Sequence, residues 1–333
     1  MNVLGIETSC DETSAAVVKD GRDVLSNVIA SQTNAHHRYG GVVPEIASRL
    51  HIDAVSRVVK AAIDKAGVSV AAVDSVAATR GPGLIGSLLV GFSFAKAFAY
   101  AANVPMAGVN HLEGHIYSSF LCDTPPPFPF IALVASGGHT NIYHVQSYSR
   151  FELMGQTRDD AVGEAFDKVS KMMGLGYPGG PVIESMANKG NPARIDFPRT
   201  FLDKGSFDFS FSGLKSAVGR YLAENPDRSQ ESLHHIAAGF QAAVCDVLTG
   251  KLLLACKEKE CTNAAVTGGV AANSTFCRDL SLRAEKSGIT VHVPAGEYCG
   301  DNAAMIAARG FRQLLEGDVC SLTDDVFSRN RIA

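Results

Sequence analysis

The residues best suited to chemistry in this sequence are two histidines spaced by four positions. His111 and His115 fall within residues 110–115, Asn-His-Leu-Glu-Gly-His, and side chains four residues apart project from one face of a helix. Two imidazoles arranged in this way can share one metal ion. The alternative is a helix whose histidines are hydrogen-bonded within the fold and do no chemistry. The pair is therefore a candidate metal site that needs support from the rest of the chain.

A carboxylate near the end of the chain, Asp301, has two interpretations. Residues 298–306, Tyr-Cys-Gly-Asp-Asn-Ala-Ala-Met-Ile, place it at the predicted start of a helix. The simplest interpretation is that its side chain caps that helix at the N-terminus. The sharper interpretation is that it is a third metal ligand.

Two further carboxylates, Asp11 and Glu12, lie in a polar turn at the start of the chain. The turn follows an apolar strand, and a second and third strand come after it, with a hairpin signal at Asp20-Gly21. The predicted strands cover residues 2–7, 15–18 and 23–29. We expect a three-stranded meander whose first turn carries hydroxyls and carboxylates.

The same order recurs in the second half of the chain, after a proline cluster at residues 124–129. An apolar strand is followed by the glycine-containing turn 135–140 and by two more strands. The predicted strands cover residues 131–134, 141–145 and 151–155. A duplicated meander, each copy followed by helices, is the plan of the actin, hexokinase and Hsp70-like (ASKHA) proteins. In such folds the turns hold phosphates through backbone N–H groups. The fold class predicted is therefore α/β with two lobes.

A second glycine-rich turn, Gly268-Gly269, stands between a buried strand and a helix. A turn of this kind at a helix N-terminus suits a phosphate or an adenosine group. Alone it is a weak signal. Together with the duplicated meander it favours a nucleotide site.

Composition and charge narrow the class of protein. The chain has 333 residues with 30 basic and 34 acidic side chains, a net charge of −4, which disfavours a generally basic nucleic-acid binder. The eight cysteines form no Cys-x-x-Cys pair, so we expect free thiols rather than disulfides or a zinc knuckle. The apolar run at residues 84–104 is interrupted by Gly, Ser and Lys96 and is interpreted as a buried helix, not a membrane span. With no signal sequence recognised, the expected location is cytoplasmic.

Taken together, these motifs resemble the tRNA threonylcarbamoyladenosine transferase family, called TsaD in bacteria and formerly O-sialoglycoprotein endopeptidase. The resemblance covers nearly the whole chain. It rests on residues 5–13, 39–45, 96–116, 136–140, 209–215 and 300–305. It implies an N-terminal ASKHA lobe over residues 1–124 and a C-terminal lobe over residues 125–333, with the active site between them. The last helix, about 301–316, is expected to pack back toward the N-terminal lobe.

The resemblance also implies the roles of individual residues. His111, His115 and Asp301 would bind one Fe²⁺ or Zn²⁺, a ligand set that leaves coordination positions open for Lewis-acid chemistry. Apart from the resemblance, we hypothesise from their place in the first turn that Asp11 or Glu12 accepts the proton of the attacking amine or helps to orient the nucleotide. Substrate contacts are implied for Val134, Ala135, Ser136, Gly137, Gly138, Asp167, Gly180, Glu184 and Asn273, with Glu184 the weaker member of the set.

The implied reaction moves a threonylcarbamoyl group from threonylcarbamoyl-AMP to the N6 amine of adenosine 37 in tRNAs that read codons starting with A. The tRNA is expected along residues 36–39 and Arg49. Because the chain has little basic surface, partners are expected as well. The resemblance implies a TsaB-like paralogue, joined through the helix after Pro44, and a small TsaE-like ATPase.

Three other functions remain open on the sequence. A metallopeptidase is suggested by His-Leu-Glu-Gly-His, but Glu113 is displaced by one position from the general base of His-Glu-x-x-His. A kinase or ATPase of the same fold would transfer phosphoryl groups with Mg²⁺ and would need no His-His-Asp site. A scaffold that only binds nucleotide would not need the metal ligands either.

Overall fold

The computed structural model describes residues 1–202 and 205–329, and these form two compact units. Unit 1 contains Met1–Pro125 and the described chain from Pro294 onward, and unit 2 is Pro126–Val293. The boundary near residue 125 coincides with the proline cluster. The C-terminal segment belongs to unit 1 because its long helix packs on the first sheet.

Unit 1 is built on a five-stranded mixed sheet with the strand order β3-β2-β1-β4-β5. The first three strands are antiparallel, whereas β4 and β5 run parallel to β1. The strands are β1 (Asn2–Glu7), β2 (Glu12–Lys19), β3 (Asp23–Ser31), β4 (Ser75–Gly81) and β5 (Met106–Asn110). The helices are α1 (Thr33–His37), α2 (Pro44–Ala66), α3 (Ile85–Ala102), α4 (His111–Ser118), α10 (Gly296–Cys299) and α11 (Ala303–Leu315).

Helices cover both faces of this sheet. Leu4 and Ile6 of β1 pack with residues of α2 and α3 on one face, while Val3 packs with the start of α11 on the other. This alternation follows from the two-residue period of a strand. Pro44 begins α2, as predicted from its place before the apolar periodicity.

Close approach of α11 depends on small residues. A Cβ on Gly5 would lie 2.2 Å from the carbonyl oxygen of Ala303, and a Cβ on Gly114 would lie 2.7 Å from Cδ1 of Ile306. Glycine at these two positions therefore lets α11 lie directly against β1 and α4. The glycine that weakens α4 as a helix is the one that allows this contact.

Unit 2 repeats the sheet of unit 1. Its order is β8-β7-β6-β9-β10, with β6, β7 and β8 antiparallel and β9 and β10 parallel to β6. Strand for strand this is the arrangement of unit 1, so the fold is the predicted duplicated, two-lobed α/β fold. The strands are β6 (Phe130–Ala135), β7 (Thr140–Ser147), β8 (Arg150–Gln156), β9 (Asn263–Thr267) and β10 (Thr290–His292). The helices are α5 (Val162–Met172), α6 (Gly179–Ala187), α7 (Ser212–Glu224), α8 (Gln230–Glu258) and α9 (Ser274–Glu285).

Two helices are long and apolar enough to cross a bilayer by length and composition, α3 and α8. The most apolar window of α8 is 78% buried within the structure, which is the environment of a core helix. The same window of α3 is only 33% buried, with Ile85, Leu89 and Tyr100 exposed. The prediction of a buried helix at residues 84–104 was therefore wrong for one face of α3.

The segment after β3 contains a short helix and a buried histidine. Residues Thr33–His37 form the short helix α1. His36 is fully buried, with Nε2 3.2 Å from Oε1 of Gln32 and Nδ1 accepting from the backbone N–H of Val43. The buried imidazole thus ties the segment together, a contact that sequence pattern does not reveal.

Candidate functional site

The two histidines lie on the short helix α4, and His111 is its first residue. Asn110 ends β5 and caps the helix, because its side chain accepts a hydrogen bond from the backbone N–H of Leu112. His111 and His115 lie side by side, with ring centroids 4.6 Å apart and planes at 75°. Both are buried. The predicted placement of the pair on one helical face is confirmed.

Asp301 lies at the same place. Its Oδ1 is 3.2 Å from Nε2 of His115 and 3.6 Å from Nε2 of His111. The simpler interpretation of Asp301 as a helix cap was wrong. The cap of α11 is Asn302, whose side chain accepts from the backbone N–H of Met305.

The geometry of these three side chains fits a metal ion. One ligand atom from each of them lies within 4.8 Å of the others. Tetrahedral ligands bound at about 2.1 Å are roughly 3.4 Å apart, close to the two observed distances. Among the described residues, neither ring nitrogen of the buried His115 makes a hydrogen bond. A buried ring nitrogen that makes no hydrogen bond is costly, and a cation held between Nε2 of His115 and Oδ1 of Asp301 would satisfy that nitrogen.

The other side of His111 faces a buried carboxylate. Nδ1 of His111 is 3.0 Å from Oε2 of Glu7. Burial would lower the pKa of His111, but the charges of Glu7 and Asp301 raise it to about 9. Burial would likewise raise the pKa of Glu7, whereas the His111 ring lowers it below its ordinary value. Since a metal ligand must be deprotonated, cation binding to the metal-free site releases a proton.

The polar turn of unit 1 lies beside this cluster. Ser9 Oγ is 3.3 Å from Nδ1 of His111. Burial, the Asp11 and Asp301 charges and a hydrogen bond with Asp11 raise the pKa of Glu12 to about 9. The protonated form of Glu12 is therefore stabilised by its surroundings. His51, buried below, supports the turn through Thr13 Oγ1 at 2.7 Å and the Cys10 carbonyl at 3.0 Å.

Unit 2 contains a cavity of about 360 Å³ next to its own polar turn. Gly137, Gly180 and Gly269 lie in its wall, and a Cβ built on any of them would meet no atom within 4 Å. The second residues of α5 and α6, Gly163 and Gly180, bring two helix N-termini to the cavity. Open backbone and helix N-termini are the features that bind phosphate groups.

The structure brings some of the predicted substrate residues together and not others. Gly137, Asp167, Gly180, Glu184 and Asn273 line the cavity. Val134, Ala135, Ser136 and Gly138 do not line it. Val134 and Ala135 are fully buried in β6, where both pair with β7 and Val134 also pairs with β9. Six other residues of the cavity wall were not predicted from the sequence: Gly163, Phe166, Pro178, Pro181, Val270 and Ala272.

The polar members of the wall also support its shape. Asp167 Oδ1 accepts from the backbone N–H of Gly179 at 2.7 Å. Glu184 Oε1 accepts from the backbone N–H and hydroxyl of Ser274 at 2.9 and 2.7 Å. Asn273 caps α9 through its side-chain oxygen and donates its amide to Gln241. These contacts fix the polar groups around the glycine cradle.

Glu113, the residue that suggested a peptidase, is engaged elsewhere. Its Oε2 accepts from Nε of Arg309 at 2.5 Å, with both side chains largely buried. A carboxylate held in a buried ion pair is not available as a general base, since removing it would leave the arginine charge unpaired. The structure thus disfavours the peptidase interpretation.

Comparison with known proteins agrees with these features. The family model for tRNA N6-adenosine threonylcarbamoyltransferase (TsaD) matches residues 23–308. A protein of that name from Desulforapulum autotrophicum is 62% identical over 331 residues, covering 99% of each chain. Another from Geotalea uraniireducens is 53% identical over 311 residues, covering 93% of this chain and 90% of its own.

Solved structures agree on the fold alone. HypF from T. kodakarensis has a TM-score of 0.62 at 14% identity, covering 95% of this chain and 48% of HypF. Component A of (R)-2-hydroxyglutaryl-CoA dehydratase from Acidaminococcus fermentans has a TM-score of 0.56 at 17% identity, covering 95% and 99%. By the family match and the full-length identity, this chain belongs to the tRNA N6-adenosine threonylcarbamoyltransferase family.

Proposed function

We propose that this chain transfers the threonylcarbamoyl group of threonylcarbamoyl-AMP to the N6 amine of adenosine 37 in tRNAs that read ANN codons, releasing AMP. The observation that carries the proposal is the full-length match to a relative of that name at 62% identity. The His-His-Asp cluster supports it, because a kinase of the same fold would need oxygen ligands for Mg²⁺ instead.

One divalent cation, Fe²⁺ or Zn²⁺, is assigned to His111, His115 and Asp301. Two imidazoles and one carboxylate suit these metals. When bound, such a cation supplies a Lewis acid for a carbonyl oxygen. The burial of both histidines keeps water from competing for the ligands.

The adenylate is assigned to the cavity of unit 2. Its phosphate fits against the open backbone of Gly137 and the N-terminus of α6 at Gly180, where backbone groups can bind it without a lysine. Asp167 and Glu184 offer carboxylate oxygens to ribose hydroxyls. Val134, Ala135, Ser136 and Gly138 act by shaping the strand and turn that present Gly137.

The chemical step needs a proton acceptor. The N6 amine attacks the carbamoyl carbon, the bond to the phosphate oxygen breaks, and AMP leaves with the electron pair. The amine must lose a proton, and Asp11 is assigned that role with Glu12 as its hydrogen-bonded partner. Because an exocyclic amine is a weak nucleophile, correct placement of the two substrates contributes much of the rate.

Partners and tRNA are assigned to the surface of unit 1. Arg38, stacked over Tyr39 at 4.7 Å, presents a cation and an aromatic ring on the segment expected to meet tRNA, near Arg49. The packed helices α2 and α3 expose Ile52, Ile85 and Leu89, which suits a TsaB-like paralogue. A TsaE-like ATPase completes the set, and we expect the protein to act in the cytoplasm, where tRNA is modified.

The test is a transfer assay with the chain, its partners, unmodified tRNA and preformed threonylcarbamoyl-AMP. The RNA is digested and the modified nucleoside is measured by mass spectrometry. We expect product that depends on adenosine 37, with none from a tRNA that carries guanosine there. A folded chain that forms no product with its partners present, but hydrolyses ATP, would favour the kinase interpretation.

A further inference from the structure

We propose that Glu7 is the positioning residue of the metal site: it fixes the proton of His111 on Nδ1 and so leaves Nε2 as the ligand atom. This inference rests on the proposed metal site but assigns a function to a residue outside the ligand set. Glu7 ends β1, and it is fully buried.

Both carboxylate oxygens of Glu7 accept hydrogen bonds from neighbouring groups. Oε1 accepts from the backbone N–H of Ser9 at 2.5 Å, and Oε2 accepts from the hydroxyl of Thr79 at 2.6 Å. Oε2 is also 3.0 Å from Nδ1 of His111. A carboxylate accepts at both oxygens and donates at neither when ionised. The surroundings of Glu7 therefore select the ionised form, and the ionised form requires a proton on Nδ1.

The consequence for His111 is a fixed tautomer. A neutral imidazole carries one proton, so a proton on Nδ1 leaves the lone pair on Nε2. Nε2 is the nitrogen that faces Asp301, at 3.6 Å. A carboxylate that accepts a hydrogen bond from the non-ligating nitrogen of a metal-bound histidine increases the basicity of that histidine and sets its ring orientation.

The two histidines are consequently unequal. Nε2 of His115 is 3.2 Å from Oδ1 of Asp301, but among the described residues its Nδ1 makes no hydrogen bond, so no second partner selects its tautomer. His111 is held by a carboxylate that is itself held by two donors. We infer that His111 is the anchored ligand of the pair.

Charge supports the same role. Glu7 and Asp301 together neutralise a divalent cation, whereas an amide at position 7 would leave one positive charge in a buried site. An amide also carries an NH₂ group. Whichever way it is turned, that group faces either the Ser9 N–H or the side where Thr79 and His111 donate.

The competing explanation is that Glu7 serves the turn alone, through its contact with Ser9. To separate the two, Glu7→Gln is compared with Glu113→Gln. Glu113 is also a largely buried carboxylate and belongs to α4 itself, but its partner is Arg309, not a metal ligand. A general loss of packing around α4 would affect the metal affinity of both variants.

The experiment measures Zn²⁺ affinity of the chelator-stripped chain by competition with a chromophoric chelator. We expect the dissociation constant to rise about 10–100-fold in Glu7→Gln, the usual effect of losing such a partner, and to change less than about threefold in Glu113→Gln. Circular dichroism and thermal unfolding establish that each variant is folded. An unchanged affinity in folded Glu7→Gln, or an equal loss in both variants, would overturn the proposal.

A second measurement needs no variant. In the Zn²⁺-loaded wild-type chain labelled with ¹⁵N-histidine, long-range ¹H–¹⁵N spectra distinguish the two ring nitrogens. We expect a zinc-bound Nε2 and a protonated Nδ1 for His111, whereas zinc on Nδ1 would overturn the proposal. If the wild-type chain binds zinc no better than His111→Ala, both this inference and the metal site fail. If zinc binding follows the expected pattern but no tRNA product forms, only the proposed function fails.

Discussion

The two sheets of this protein have the same strand order but use the turn after their first strand in opposite ways. In unit 1 the turn and its neighbours present side chains, with Ser9 beside His111 and the Asp11–Glu12 pair beyond it. In unit 2 the corresponding turn presents bare backbone at Gly137, open to a cavity of about 360 Å³. The comparison shows that one strand arrangement can carry a turn that presents side chains or a turn that presents bare backbone, depending on which residues occupy it.

The largest expected effect comes from removing a metal ligand in unit 1. In His115→Ala the cation loses one of three protein ligands, and we expect kcat of the transfer to fall at least about 100-fold, equivalent to roughly 3 kcal/mol of transition-state stabilisation. Turnover and metal content, by elemental analysis, are measured together. His292→Gln, which alters a histidine of unit 2 bonded to Asn263, is the control. Normal turnover by metal-free His115→Ala would remove the metal from the mechanism.

The next largest effect is expected from a substitution at Gly137, where unit 2 exposes backbone to its cavity. Gly137→Ala adds a methyl group where no protein atom lies within 4 Å, so the fold has room for it while a bound phosphate does not. We expect KM for threonylcarbamoyl-AMP to rise about 10-fold, or about 1.4 kcal/mol, with unchanged thermal stability. The matched control is Gly219→Ala on α7, where the nearest atom is 3.8 Å away and outside the cavity. Equal KM values in the two variants would place the adenylate elsewhere.

Parts of the fold and of the candidate site could be predicted from the sequence alone. The duplicated strand-turn-strand pattern predicted the three antiparallel strands of each sheet, and the spacing of His111 and His115 predicted their shared face, because both depend only on local periodicity. The Asp301 contact depends on how α11 packs against α4, which the sequence does not state. Glu7 was missed as well. The sequence shows only a carboxylate at the end of an apolar strand. The structure was needed to show that this carboxylate is buried and contacts His111.

Two titratable groups of unit 1 predict that the stability of the metal-free protein depends on pH. The folded pKa values of His111 and Glu12 are both about 9, above their unfolded values. The metal-free native state therefore holds more protons than the unfolded state, and the free energy of unfolding should fall between pH 6.5 and 9. Two groups that each release a proton across this range give an expected loss on the order of 5 kcal/mol, measured by urea denaturation.

The variant Glu12→Gln sharpens this result. It removes one of the two titrating groups, so the decline across the same pH range should become shallower. Excess Zn²⁺ should reduce the decline further, because a cation displaces the His111 proton. A metal-free chain whose stability rises from pH 6.5 to 9 would contradict the assigned pKa directions.

The smallest expected effect concerns how α11 is positioned. Gly114→Ala places a methyl group 2.7 Å from Cδ1 of Ile306, and we expect the free energy of unfolding to fall by about 1 kcal/mol, overpacking outweighing the gain in helix propensity. Ile306→Val removes that Cδ1. The double variant should therefore recover stability relative to Gly114→Ala. Additive losses would show that the contact does not limit the approach of the two helices.

We propose that unit 1 holds the metal through side chains and that unit 2 holds the adenylate through backbone groups. The most direct test is to measure Zn²⁺ and AMP binding, by calorimetry, in both His115→Ala and Gly137→Ala. We expect His115→Ala to lose Zn²⁺ affinity and keep AMP affinity within about twofold, and Gly137→Ala to show the reverse. Loss of both ligands in either folded variant, or the opposite pairing, would contradict the account.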